Sequence, residues 1–272
     1  MLDEIAATLT GSKALVLTGA GMSTDTGIPD YRGPDGQRRV TPMQHSEFVS
    51  STEARRRYWA RSYVGWQHLR LTQPNAAHLA VTRLQRAGHL GHVITQNVDG
   101  LHQRAGTDDV VELHGSLGRV ICLQCNAAFT RLEVDAQMRA DNPDFADANK
   151  SSDIRPDGDV GLNQIQTESF RVPLCAACGA DLLKPDVVFF GDSVPAARVD
   201  LCSALTDVAD ALVVLGSSLA VMSGLRFVRR AAARATPIVI ITRGTTRADD
   251  LASHRVDADL ASTLQEVGAR LA

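Results

Sequence analysis

The sequence predicts an α/β fold: a parallel sheet covered by helices on both faces, interrupted by a smaller metal-binding region. Three observations carry this. Short apolar runs at residues 14–17, 92–95, 110–113, 187–190, 211–215 and 237–241 alternate with segments of helical periodicity, the pattern of strands buried on both faces. The first run flows directly into Gly19-Ala20-Gly21, a turn with almost no side chains. Two C-x-x-C pairs, Cys122/Cys125 and Cys175/Cys178, bracket a stretch where the alternation stops.

In chain order, Leu2, Ile5, Ala6 and Leu9 fall at helical spacing and predict a short helix before the first strand. Residues 13–36, KALVLTGAGMSTDTGIPDYRGPDG, organise the rest of the chain. A strand that ends in a Gly-rich turn brings backbone N–H groups close to a bound phosphate, and a following helix N-terminus adds positive potential. The third glycine of G-x-G-x-x-G is replaced here by Thr24, and no strand with a ribose-binding acid follows about 20 residues later. Instead comes Gly27-Ile28-Pro29-Asp30-Tyr31-Arg32, a loop with two rigid points and both charges. These departures argue against a hydride-transfer dehydrogenase. The turn by itself is equally compatible with a purely structural role.

Residues 53–71, rich in Arg and aromatics, predict a helix with a basic solvated face and Tyr58, Trp59 and Trp66 packed. Pro74 suits the start of another helix, with Ala77, Ala80, Val81 and Leu84 on its apolar face and Gly88 at its end. Residues 92–95 run into Gln96-Asn97-Val98-Asp99-Gly100, polar residues at the end of a buried strand, where open α/β sheets bind ligands. Residues 110–113 deliver His114-Gly115-Ser116. A histidine at a strand end is a structural group or a proton acceptor; position alone does not decide between them.

The two C-x-x-C pairs have the spacing of a tetrahedral thiolate site for one zinc ion. Four thiolates leave no open coordination position, so the metal is expected to be structural. A redox role is the alternative, and neither pair follows a thioredoxin-like strand. The middle of the spacer, residues 141–159, is polar and acidic and predicts a mobile loop.

From Lys184 the α/β pattern resumes. The run 187–190 is closed by Gly191-Asp192, and Leu201, Leu205 and Val208 mark a helix. The strand at 211–215 ends in Gly216-Ser217-Ser218, a second small-residue turn suited to phosphate or ribose. A helix is expected at 224–235, a strand at 237–241 followed by Thr242-Arg243-Gly244, and a closing amphipathic helix at 258–271.

The 272 residues and 44% hydrophobic content suffice for one large domain, or one large and one small. A net charge of −3 gives no bulk attraction to nucleic acid or anionic lipid. No apolar stretch has the length of a membrane span. Five cysteines, one of them (Cys202) outside the pairs, fit a reducing compartment. The expectation is a cytoplasmic protein with no nucleic-acid or membrane partner; its oligomeric state is not legible.

Taken together, GAGMSTDTGIPDYRG, TQNVDGLH, LHGS, the two C-x-x-C pairs, KPDVVFFGD and GSSLAV resemble the sirtuin family of NAD-dependent protein deacylases, in the family's order and over almost the whole chain. RYWARSYVGW, RPDGDV and TRADDLA resemble most its class II, sirtuin-4-like branch. The resemblance implies a Rossmann-like NAD domain from residues 1–36, 73–119 and 184–272. A small domain would combine a helical insertion, 37–72, with a zinc-ribbon module, 120–183. NAD is implied as a co-substrate, held by Ala20, Gly21 and Ser23 at the pyrophosphate and by Gly216, Ser217 and Ser218 on the phosphate and adenosine side. Ile28 and Asp99 would form the nicotinamide pocket, and Gln96 and Asn97 would order the ribose and a water. Gly19, Thr24, Pro29, Asp30, Tyr31, Arg32, Thr242, Arg243, Gly244 and Leu260 join this set by position. Tyr31 stands where many members have Phe, and Thr242 where the family often has Asn. His114 matches the family's general base, acting with Asn97. Val187, Val188, Phe189 and Phe190 would bind the acyl-lysine protein substrate as an added strand. Tyr58 and Arg61 have the Y-x-x-R spacing of members that prefer acidic acyl groups. Products would be nicotinamide, free lysine and O-acyl-ADP-ribose. Protein ADP-ribosyl transfer at the same site is the alternative, and an inactive zinc-ribbon binding module a second.

Overall fold

The computed structural model describes residues 1–32, 37, 41–150, 154–155 and 157–272. The end of the organising stretch, 33–36, and part of the expected loop, 151–153 and 156, lie outside the described residues.

Helix α1 (Leu2–Leu9) buries Ile5, Ala6 and Leu9, as its spacing predicts, and leads into β1 (Ala14–Thr18), buried throughout. The chain then crosses to two helices, α2 (His45–Ser50) and α3 (Thr52–Leu69). Ser51 caps α3 by accepting from the Ala54 N–H at 3.1 Å. Helix α4 (Ala76–Arg86), capped by Asn75, returns to β2 (Leu90–Thr95). A single turn, α5 (Leu101–Arg104), precedes β3 (Val110–Glu112).

At Gly115 the chain leaves this layer. Its φ is +83°, and a Cβ there would lie 1.9 Å from the Asp186 carbonyl oxygen, so only glycine fits. Strand β4 (Gly115–Cys122), β5 (Ala128–Thr130), α6 (Arg131–Asp141), α7 (Phe145–Ala148), α8 (Gln164–Glu168) and β6 (Leu183–Val187) follow. The chain then re-enters the large layer through α9 (Ala196–Val208), β7 (Leu212–Leu215), α10 (Met222–Ala233), β8 (Ile238–Ile241), β9 (His254–Val256) and α11 (Leu260–Leu271).

The large sheet is entirely parallel in the order β3-β2-β1-β7-β8-β9. Counted along its own sheet this is 3-2-1-4-5-6, the doubly wound order, with its reversal between β1 and β7. Alternate strand residues explain the two helical layers. Val16, Val213 and Val239 face α1, α4 and α11; Leu17, Val214 and Ile240 face α9 and α10. Each such buried side chain contributes about 1.5–3 kcal/mol.

The small sheet is antiparallel, β5-β4-β6, and packs with α2, α3 and α6 around Phe48, Tyr58, Trp59 and Phe170. It straddles the expected domain boundaries, taking residues 115–119 and 184–187 that the family resemblance assigns to the larger unit.

Three expectations need correction. Residues 141–159 are not a plain loop, since α6 ends and α7 lies within them and Asp159 is buried. The expected strand at 187–190 is displaced: β6 ends at Val187, because pairing with β4 fixes its register over Leu183–Val187. In α9, Leu201 and Val208 face solvent, while Cys202 and Thr206 are buried. The Thr206 hydroxyl is satisfied by donating to the Cys202 carbonyl at 2.7 Å. Among the described residues no helix is long and apolar enough to cross a membrane.

Candidate active site and metal centre

A cavity of about 1220 Å³ opens at the reversal point, between the C-terminal ends of the parallel strands and the small sheet. Its floor is two small-residue turns in mutual contact. The Gly21 N–H donates to the Gly216 carbonyl at 2.8 Å. A Cβ at Gly19 would lie 2.7 Å from Ser217 Cβ, and one at Gly216 would lie 2.5 Å from the Met22 nitrogen. Side chains at either glycine would therefore force the turns apart. Such bare turns, with backbone N–H groups exposed to a cleft, are a fit cradle for a dinucleotide's phosphates.

The polar residues after β2 tie these turns together. Gln96 Nε2 donates to the Thr18 carbonyl at 3.1 Å and to Ser217 Oγ at 2.9 Å. Asn97 Nδ2 donates to the Gly19 carbonyl and to Ser23 Oγ, both at 3.1 Å. Asp99 accepts from Ser23 Oγ at 2.7 Å and from the Leu101 N–H at 2.9 Å; burial raises its carboxyl above the usual range. The amides and carboxylate are thus pre-oriented before any ligand arrives.

His114 sits at the turn between β3 and β4, where the chain passes from the large sheet to the small one. Its Nδ1 lies 2.9 Å from the Gln96 carbonyl oxygen and its Nε2 2.8 Å from Ser223 Oγ. Burial lowers its pKa, the Gln96 carbonyl opposes this, and the Arg198 charge lowers it further. A neutral imidazole at the cleft wall is equipped to accept a proton at neutral pH.

The cavity is lined by Gly19, Ala20, Gly21, Ser23 and Thr24, and by Ile28, Pro29, Asp30, Tyr31 and Arg32. On the opposite side it is lined by Gly216, Ser217, Ser218, Thr242, Arg243, Gly244 and Leu260. Arg243 is drawn to Asp259 at 3.0 Å. Val187, Val188, Phe189 and Phe190 form its outer rim. Val188 N–H donates to the His114 carbonyl at 2.8 Å, and β6 is the edge strand of the small sheet.

Tyr58 and Arg61 are not brought together. Tyr58 lines the cavity, packed against Phe48 and Phe189. Arg61 does not line it; its Nη2 and Nε donate to the Leu162 carbonyl at 2.7 and 3.2 Å. Sequence reasoning misses Asp157, Asn75, Ser223 and Arg226, all of which line the cavity. RPDGDV is the only sign of the first, and nothing in the sequence marks the rest.

Away from the cavity, Sγ atoms of Cys122, Cys125, Cys175 and Cys178 lie within 4.8 Å of one another. Cys122–Cys178 and Cys125–Cys175 are 3.7 Å apart. A tetrahedron of about 2.3 Å Zn–S bonds has edges of about 3.8 Å. The donor set and spacing fit a structural Zn²⁺ with no open position.

Residues 19–223 match the model of the Sir2 family. The chain is 51% identical over 271 residues to NAD-dependent protein deacetylase 1 of Streptomyces coelicolor, covering 99% of this chain and 90% of that protein. It is 48% identical to NAD-dependent protein deacylase Sirt4 of Drosophila melanogaster, covering 92% of this chain and 80% of that one. Among solved structures, a Sir2 protein with a p53 peptide and NAD+ superimposes with a TM-score of 0.79 at 30% identity, over 99% of this chain and 98% of that chain.

Proposed function

The chain belongs to the Sir2 family, and from that premise we propose that His114 is the general base of an NAD-dependent deacylation carried out in the cleft. The protein is an NAD-dependent deacylase of protein lysine side chains, with NAD as co-substrate and one structural zinc per chain. The observation that supports the role of His114 is its position. The ring closes the cleft beside the bare turns, with Nδ1 held by a backbone carbonyl and Nε2 turned to a hydroxyl.

Bound NAD supplies an electrophilic ribose carbon and a departing nicotinamide. The chain does the rest. Ala20 offers its backbone N–H to the pyrophosphate, and Gly19 and Gly21 offer no side-chain obstruction, with Ser23 and Thr24 beside them. Ile28 and Asp99 flank the nicotinamide, and the loop carrying Pro29, Asp30, Tyr31 and Arg32 covers it. Gln96 and Asn97 orient ribose hydroxyls. His114 Nε2 takes a proton from a hydroxyl presented in the cleft. Gly216, Ser217, Ser218, Thr242, Arg243, Gly244 and Leu260 receive the adenosine side. The edge of β6 and residues 188–190 receive the acyl-lysine segment by strand addition. On this reading residues 1–36, 73–119 and 184–272 supply the NAD-binding domain, apart from the strand segments 115–119 and 184–187 that join the small sheet, and zinc would hold together the module that aligns β6. Paired C-x-x-C knuckles that would hold zinc rather than form disulfides fit a cytoplasmic setting.

Proteins with these sequence relationships are named deacetylases, deacylases and, in a Bos taurus relative 45% identical over 250 residues, a lipoamidase, all acyl-removing activities. ADP-ribosyl transfer to protein is not favoured. The test is a panel of acyl-lysine peptides assayed with NAD, following O-acyl-ADP-ribose by mass spectrometry. His114→Ala should lose about 10²–10⁴-fold in turnover while still binding NAD by calorimetry. Near-normal turnover in that variant removes His114 from the role.

A further inference from the structure

The Gln96 carbonyl can only accept, so in the neutral ring of His114 the proton is on Nδ1 and the lone pair on Nε2. That lone pair already has a donor. Ser223 Oγ lies 2.8 Å away, so its hydroxyl donates to Nε2. Ser223 is the second residue of α10 and lines the same cleft.

The approach of α10 depends on its neighbour. A Cβ at Gly224 would lie 2.6 Å from Gln96 Oε1 and 2.8 Å from its Cδ. That amide cannot swing away freely, because it is bonded to the Thr18 carbonyl and to Ser217 Oγ. Glycine therefore lets the first turn of α10 close onto the end of β2. Gln96 then acts on both ring nitrogens. Its backbone oxygen takes the Nδ1 hydrogen, and its side chain seats the helix that carries Ser223.

Other groups set the ring's charge but not its orientation. Arg198, on α9, acts on it electrostatically and is shared with Asp186 at 4.0 Å. Asp200 of α9 and Arg226 of α10 line the same cleft. Among the described residues, Ser223 is the side chain hydrogen-bonded to the ring.

We propose that Ser223 is a positioning residue for His114: its hydroxyl donates to Nε2 of the Nδ1–H imidazole, holds that lone pair aimed into the cleft, and yields it to a substrate hydroxyl. This rests on His114 being the base. A hydroxyl in this place also means that the free enzyme keeps its base occupied, and that substrate binding exchanges one donor for another rather than filling a bare lone pair.

The experiment compares wild type, Ser223→Ala and Ser223→Thr. The first readout is the pair of imidazole nitrogen chemical shifts of His114, by NMR on the folded protein without NAD. The second is the pH profile of kcat and KM. Ser223→Ala should leave the proton on Nδ1, where the Gln96 carbonyl holds it, and shift the Nε2 resonance as that nitrogen loses its donor. It should lower kcat about two- to tenfold, the worth of one hydrogen bond, and leave KM for NAD within about twofold. Its acidic limb should move to higher pH, because a bond to the neutral ring had opposed protonation. Ser223→Thr should restore all three. An unchanged Nε2 shift and an unchanged acidic limb in Ser223→Ala overturn the proposal, even if kcat falls. Should Ser223→Ala fold poorly, Ser223→Gly provides the same test without the hydroxyl. If His114→Ala keeps its turnover, the base assignment fails by itself, while the Nε2 chemical shift still reads the Ser223 bond.

Discussion

The two sheets of this protein are held by different physics. The large sheet is apolar on both faces: Val213, Val214, Val239 and Ile240 are all buried against helices. The interior of the small one contains a fully buried cation. Arg131 lies between the rings of Trp59 at 5.2 Å and Trp66 at 4.9 Å, and donates to the hydroxyl and carbonyl of Ser62, both at 2.9 Å. Burial pushes its guanidinium down to about 10. Arg55 pairs with Asp181 at 2.9 Å, and four cysteines close the far end. Apolar burial is non-directional and tolerates small shifts. Stacked cations and metal ligands are directional, and removing one partner leaves the others uncompensated. The small sheet also packs on a buried apolar cluster that includes Phe48, Trp59 and Phe170, and it adds the directional kind to that cluster.

The strongest way to break that comparison is to take away the metal. Zinc binding of this type is worth about 10–16 kcal/mol. A strong chelator, or Cys122→Ala, should unfold the small-sheet region and leave the large sheet folded. Hydrogen exchange should show β4, β5 and α6 losing protection while β1, β7 and β8 keep theirs. A zinc-free protein with full protection throughout would mean that the two regions are held alike.

The large sheet has its own weak point, and it is acid. His78 and His102 are buried side by side, their rings 4.9 Å apart. His102 Nε2 faces Thr18 Oγ1 at 3.2 Å, and His78 Nδ1 faces Asn75 Oδ1 at 2.8 Å. Burial lowers His102 from 6.5 to about 4 and His78 to about 3, the latter helped by the neighbouring His102 and Arg104 charges. As pH falls below 6.5, the unfolded chain takes up protons that the folded chain refuses. Stability is therefore complete above pH 6.5 and declines toward pH 4. His102 alone should account for about 3 kcal/mol of that loss, at about 1.4 kcal/mol for each tenfold change in proton affinity. Urea midpoints from pH 7 to pH 4 measure it. Acid also releases zinc, so the diagnostic comparison is His102→Gln, which should flatten the decline; equal slopes would mean that the histidines do not carry it.

The same contrast explains what the sequence disclosed. Strands buried on both faces must be apolar throughout, so β1, β2, β7 and β8 stand out as runs. Strand β4, GSLGRVIC, is exposed at Gly118 and Arg119, and β9 is a half-buried edge, so neither has a run to find. Buried Arg131 reads in sequence as an ordinary surface cation; only the stacked tryptophans reveal otherwise. At the cleft, the glycine turns, Gln96, Asn97, Asp99 and His114 are legible because their chemistry is local to short segments. Ser223 and Asp157 are not, because each matters only through a residue about a hundred positions away in the chain: Ser223 through His114, and Asp157 beside Tyr58.

Acyl preference tests that distinction most finely. Spacing alone puts Tyr58 and Arg61 on one helix face, suggesting a carboxylate pocket. In the folded protein Arg61 is spent on the Leu162 carbonyl, a scaffold contact of the small-sheet region. The charged side chain that lines the cleft with Tyr58 is instead Asp157, its carboxyl raised first by burial, against the lowering effect of Arg155 and Arg61. A succinyl group beside Tyr58 would meet the Asp157 carboxyl, while the guanidinium residues of the lining are Arg32, Arg226 and Arg243, not Arg61. When ionised, Asp157 repels it; as pH falls and Asp157 takes up a proton, that penalty fades. We expect acetyl-lysine to be preferred over succinyl-lysine, and Arg61→Met to leave the ratio of their kcat/KM values within about twofold, since it removes no acyl contact. Asp157→Asn should raise relative succinyl turnover by about two- to tenfold, the worth of one relieved polar conflict. The measurement is kcat/KM on matched acetyl-, succinyl- and glutaryl-lysine peptides with each variant. A succinyl preference in wild type that Arg61→Met abolishes would restore the reading from spacing, and would require Arg61 to leave Leu162 when the substrate binds.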